Sequence, residues 1–153
     1  MNLVFLFAFS CFGNHRLRKI QKFSNEKDIE SLADIVMASK HTYLREEAIR
    51  EMSSFSAALW TQKAKDIALQ CVASERESCH VRGYCSYALG QAEEFSAVET
   101  IISAMEQCDA ESRYWMLLGL EPLAKESSLA RAQIESLKQD VDLFIRARSQ
   151  AGK

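Results

Sequence analysis

Three histidines, His15, His41 and His80, are scattered along the chain, each beside the start of an expected helix. The one stretch that gathers metal-ligand residue types is Cys79-His80, with Cys71 and Cys85 nearby. Structural zinc sites favour C-x₂₋₄-C spacing. Cys79 and Cys85 are six apart, which puts them on different faces of a helix. Ordinary packing is the expectation there, with no metal and no other cofactor. Glu46-Glu47 and Glu93-Glu94 are paired acids, but adjacent residues diverge by about 100° on a helix and make poor acid–base dyads. No G-x-S-x-G, Walker loop or H-E-x-x-H occurs. A non-enzymatic protein without catalytic residues is expected.

Acids and aromatic rings carry more information. The chain is nearly neutral, with 21 acids against 19 bases. Yet the thirty residues from Gly83 to Ser112 hold Glu93, Glu94, Glu99, Glu106, Asp109 and Glu111 and no Lys or Arg. A field of one sign steers association with an oppositely charged partner. Tyr84, Tyr87, Tyr114 and Trp115, with Tyr43 and Trp60, exceed what a core of small residues requires. Aromatic residues inside a charged rim are the makeup of binding hot spots. The expected partner-binding residues are those six acids, sharing one rim, with Tyr84 and Tyr114 as apolar anchors.

The elements that must position these residues are helices in pairs. Arg16, Arg45, Arg82 and Arg113 each stand near the start of a segment whose apolar residues recur at helical spacing, at intervals of 29, 37 and 31 residues. Second helices lie between them, at 28–37, 64–72 and 97–105, with a fourth at 132–141. Ser24-Asn25-Glu26-Lys27 and Asp109-Ala-Glu-Ser read as helix-starting caps. Periods of roughly 30–40 residues with two helices each point to an α-solenoid. In such a stack, arginines at these positions bridge neighbouring loops or carboxylates rather than forming a phosphate-binding ladder.

Val81-Arg-Gly-Tyr-Cys-Ser-Tyr-Ala-Leu-Gly90, followed by Ala97-Val98 and Ile101-Ile102, resembles a HEAT-type repeat of the short bacterial kind. Arg45 to Met52 is a weaker match, while Arg16 to Phe23 and Arg113 to Leu120 match in their apolar positions. The resemblance implies an all-α fold, a right-handed α-α superhelix of about four to five helical hairpins. It also implies a habit of binding macromolecules, and no catalytic residues.

A chain of 153 residues is the size of one domain. One proline and five glycines leave too few turn residues for a sandwich, barrel or Rossmann-type fold. The expected organisation is a single domain: an apolar capping helix at 1–13, stopped by Gly13-Asn14, repeats over 14–128, and one long closing helix at 129–149. In the first part Phe5, Phe9 and Phe12 share a stripe, and the basic residues follow the apolar run, the reverse of a secretory signal. The run is too short to cross a bilayer. Phe5, Ile20, Ile35, Ile49, Ile67, Leu89, Ile101, Leu117 and Leu137 are the expected core. Five cysteines without C-x-x-C point to free, buried thiols and a reducing cytoplasm.

These observations converge on a short solenoid whose acidic face captures a basic protein, as an immunity or antitoxin protein masks the phosphate-binding surface of a nuclease. No membrane partner is expected. The alternative is a nucleic-acid-binding solenoid, resembling HEAT-like glycosylases, that uses Arg16, Arg18, Lys19 and Lys22 together with Arg146, Arg148 and Lys153. It requires two ends that a solenoid keeps apart.

Overall fold

The structure, a computed structural model, describes the backbone of residues 4–151 and the side chains of residues 15–151. Nine α-helices follow one another without a strand among the described residues: α1 (Val4–Glu26), α2 (Ile29–Ala38), α3 (Thr42–Ser53), α4 (Gln62–Ala73), α5 (Cys79–Gln91), α6 (Val98–Met105), α7 (Ala110–Leu123), α8 (Ser128–Ser136) and α9 (Leu143–Ala151). Single 3-10 turns lead into α4 and α6 and follow α8. The all-α expectation holds.

The helices lie in two rows. In the odd row α1, α3, α5, α7 and α9 contact one another in order, and in the even row α2, α4, α6 and α8 do the same. Helices α2, α4 and α6 each pack on the odd helix that follows. The apolar faces meet between the rows. Ile20, Ile49, Ile67, Leu89, Ile101, Leu117 and Leu137 are buried as expected, whereas Ile35 is half-buried and packs at the edge of the core. Phe5 lies outside the described side chains.

Among the described residues, α5 and α7 make the most extensive helix–helix contact. A Cβ at Gly90 would run into the backbone of Gly119, 2.7 Å from its Cα, and one at Gly119 would meet the Ser86 carbonyl carbon at 2.6 Å. Neither glycine needs an unusual φ; each is required because another backbone occupies the space a side chain would fill.

Several boundaries differ from expectation. Gly13-Asn14 does not stop a helix, and α1 runs through it to Glu26. An interior glycine costs a helix only about 1 kcal/mol. The stop comes at Lys27, whose φ is 56°. Its N–H donates to the Ser24 carbonyl and that of Asp28 to the Phe23 carbonyl (2.9 Å), the two bonds that close a Schellman turn. The cap of α2 is accordingly Asp28, which accepts from Ser31 N–H at 3.0 Å. Ser24 instead donates to Glu51 of α3. Asp109 caps α7 as expected, accepting from Ser112 N–H at 3.0 Å.

No single helix closes the chain over 129–149. It is divided into α8, a 3-10 turn at Leu137–Gln139, and α9. Arg113 holds Asp140 at 3.0 Å, and Asp142 accepts from Phe144 N–H (2.9 Å) and Ile145 N–H (3.2 Å) to start α9. Two aspartates with partners end one helix and begin another without Gly or Pro.

The cysteines also depart from expectation. Cys71, Cys85 and Cys108 are buried, but Cys71 is joined to Cys85 and Cys79 to Cys108 as disulfides. The first ties α4 to α5. The second ties the start of α5 to the residue before the cap of α7. The packing of α5 beside α7 brings together two cysteines that are 29 residues apart in sequence. Cys11 lies outside the described side chains.

Candidate binding face

Arg45, Arg82 and Arg113 are all committed to the scaffold. Arg45 pairs with Glu77 at 2.8 Å. Arg82 donates to the Val72 carbonyl at 2.9 Å and to Gln107 Oε1 at 3.2 Å. Arg113, besides Asp140, donates to the Cys108 carbonyl. Each guanidinium tethers a neighbouring loop, and no ladder of free arginines faces a phosphate chain. Cys71, Cys79 and Cys85 are in disulfides, so none offers a thiolate to a metal, and no metal-binding group of His, Cys, Asp and Glu gathers among the described residues.

The six acids do not share one rim. Helices α5 and α7 run parallel, since Gly83 faces Ser112 and Gly90 faces Gly119. Glu93 and Glu94 follow the end of α5, while Asp109 and Glu111 mark the start of α7. A 14-residue helix is about 20 Å long, and that length separates the two groups. Glu93 is the left-handed residue (φ 52°) that ends α5, its N–H donating to the Gly90 carbonyl and that of Glu94 to the Leu89 carbonyl. Glu94 pairs with Lys65 at 3.1 Å. Burial pushes its carboxyl up, but hydrogen bonds from Ser96 and Lys65 prevail and hold it below its ordinary value. Glu99 lines a shallow cleft on the even-row side with Glu75 and Gln107. Glu106 is exposed where α6 ends. Asp109 serves α7 as its cap. The bond from Ser112 N–H lowers its carboxyl, against the effect of burial. Of the six, Glu111 alone belongs with the aromatic rings.

Those rings form a continuous surface on α5 and α7. Trp115 lies 4.8 Å from Tyr84, 5.6 Å from Tyr87 and 6.3 Å from Tyr114 between ring centroids, and His80 lies 4.8 Å from Tyr84. Tyr84, Tyr87, Tyr114 and Trp115 are each half-buried, and Tyr84 and Tyr114 pack against the core. Burial raises the Tyr84 hydroxyl pKa, and the charges of Glu46, Glu111 and Glu47 add to it while Arg50 opposes it. Arg50 is itself held by Glu47, through both carboxylate oxygens at 2.6 and 2.7 Å. Beyond Tyr114 a groove of about 590 Å³ runs between α7 and α9, lined by Glu111, Asp142, Phe144 and Arg148. Arg148 is paired with Glu121 of α7.

Tyr84 and Tyr114 are joined by Trp115, which the sequence also marked. Glu46 and Glu47 were read as a failed catalytic pair and missed as part of this face. Their signal was available: Leu44, Ala48 and Ile49 fill the buried side of α3, which turns Glu46, Glu47 and Arg50 away from the core. Trp60 is buried and plays no part here. No described helix is long and apolar enough to cross a membrane. No family model, curated protein or solved structure matches the chain.

Proposed function

We propose that the two rows form a right-handed α-solenoid of HEAT-like repeats, and that the protein is a non-enzymatic binding module capturing a basic protein on its odd-row face. The observation that carries this reading is the Tyr84–Trp115–Tyr114 surface with Glu46, Glu47 and Glu111 around it. Half-buried aromatic rings within a charged border suit a protein interface. An immunity or antitoxin role fits a small binder of this kind.

Nucleic acid is the weaker reading. Arg148 is engaged by Glu121 and Arg146 donates to the Asp140 carbonyl at 3.2 Å, so the carboxyl-terminal bases are occupied. Arg16, Arg18, Lys19 and Lys22 belong to α1, at the opposite end of the odd row; Lys153 lies outside the described residues. The compartment turns on the cysteines. Both disulfides persist in an oxidising compartment, a cytoplasmic location keeps them as thiols, and a thiol count on freshly lysed native cells distinguishes the two.

The test pairs two charge-reversal variants, one at Glu46 and Glu111, the other at Glu93, Glu94 and Glu106. With a basic protein recovered from the native cell, the first variant slows association at low salt and the second leaves it near the wild-type rate. Equal rates for wild type and the first variant would remove the odd-row face from consideration.

A further inference from the structure

The odd-row face differs from an ordinary acidic surface in one respect: its charge lies beside a cluster of half-buried aromatic rings. Trp115 is the centre of a shelf made with Tyr84, Tyr87 and Tyr114. Both arginines at its border are already satisfied, Arg50 by Glu47 and Arg148 by Glu121. Glu46 and Glu111, whose charges reach Tyr84, make no ion pair among the described residues. Incoming cations thus meet two uncommitted carboxylates at the edge of a half-buried aromatic layer.

Lysine and arginine respond differently to such a surface. An ammonium is compact and strongly hydrated. A guanidinium is planar and weakly hydrated, stacks flat on an aromatic ring, and presents its edge donors to a carboxylate. The shelf supplies the ring and the acids supply the fork. Arg148 already shows the fork within the chain, its Nε and Nη2 donating to the two carboxylate oxygens of Glu121 in a cleft that Tyr87 and Tyr114 also line.

We infer that the face recognises its partner through arginine side chains stacked on the Tyr84–Trp115–Tyr114 shelf and bridged by Glu46 and Glu111, and that it selects arginine over lysine. This rests on the protein-binding function proposed above and specifies the chemistry of the partner.

Calorimetric titration of the full chain with a short arginine-rich peptide, and with a lysine-rich peptide of equal length and charge, tests it. The arginine peptide is expected to bind at least about threefold more tightly and to quench Trp115 fluorescence in a Trp60→Phe background. Trp115→Leu and Tyr84→Leu, each checked for helicity by circular dichroism, are expected to abolish the preference by weakening the arginine peptide more than the lysine peptide. Equal affinity for the two peptides, or a preference that survives both aromatic variants, would overturn the arginine inference and leave the basic-partner function standing. Binding of neither peptide would overturn both.

Discussion

Gly119 and Asp109 illustrate two ways in which one side chain, or the lack of one, holds this molecule together. At Gly119 the absence is essential, because a Cβ would meet the Ser86 carbonyl. Forcing two helices apart in a packed core typically costs about 1–3 kcal/mol. Gly119→Ala is expected to lose at least that much in urea denaturation and to disturb the Tyr84–Trp115 contact, visible as a change in near-ultraviolet dichroism. Asp109 acts through charge. Its carboxylate accepts from the Ser112 backbone and hydroxyl, and its pKa is lowered in the folded state. A lowered folded pKa means that the stabilisation is complete above the unfolded value, about 3.9, and fades as pH falls through the lower folded one. Asp109→Ala should therefore cost about 1 kcal/mol at neutral pH. The gap to wild type should narrow when unfolding is repeated in acid.

Helix ends decide where this chain turns. Both α1 and α5 terminate on a non-glycine residue in the left-handed region, Lys27 and Glu93. The conformation costs an L-residue roughly 1–2 kcal/mol, and glycine adopts it freely. Glu93→Gly is expected to raise stability by about 1 kcal/mol in chemical denaturation, and to leave partner association unchanged because Glu93 lies off the aromatic face. A loss of stability would show that the carboxylate has a role beyond ending the helix. The division between α8 and α9 works by the same logic with different residues. Asp140 is drawn to Arg113 and Asp142 turns back onto the amides of α9, so a run that could have continued as one helix is bent into two.

Covalent links reinforce the stack where the aromatic surface sits. Cys71–Cys85 closes the hairpin of α4 and α5, and Cys79–Cys108 fastens α5 to the approach of α7. The rings of the face are carried by these same two odd-row helices. Cross-links of such spans are worth roughly 2–4 kcal/mol each. Reduction should lower the thermal midpoint of the purified protein, and alkylation of the unreduced, denatured chain should label no more than one of the five cysteines. Labelling of all five would mean that the thiols are free and the stack is held by packing alone.

Periodicity along the chain was sufficient to read most helices and the arginines near the starts of α3, α5 and α7. Those properties depend on residues three and four apart, whose relation a helix settles locally. The cap at Asp109 was legible for the same reason. Arg16, by contrast, lies inside α1, and Val141 and Phe144, read on the inner side of the closing helix, are exposed. The aromatic surface was half legible. Tyr84 and Tyr114 could be named, but their union through Trp115, and the inclusion of Glu46 and Glu47, needed the lateral packing of α3, α5 and α7. Neighbouring helices of a row fix which residues thirty or more positions apart become adjacent. That packing also dispersed the acids, because parallel helices place the end of α5 and the start of α7 at opposite edges. It paired Cys79 with Cys108 and broke the closing helix by bringing Arg113 to Asp140. Helical pattern is a short-range property of the chain, whereas the register of α5 against α7 is set by backbones meeting at Gly90 and Gly119.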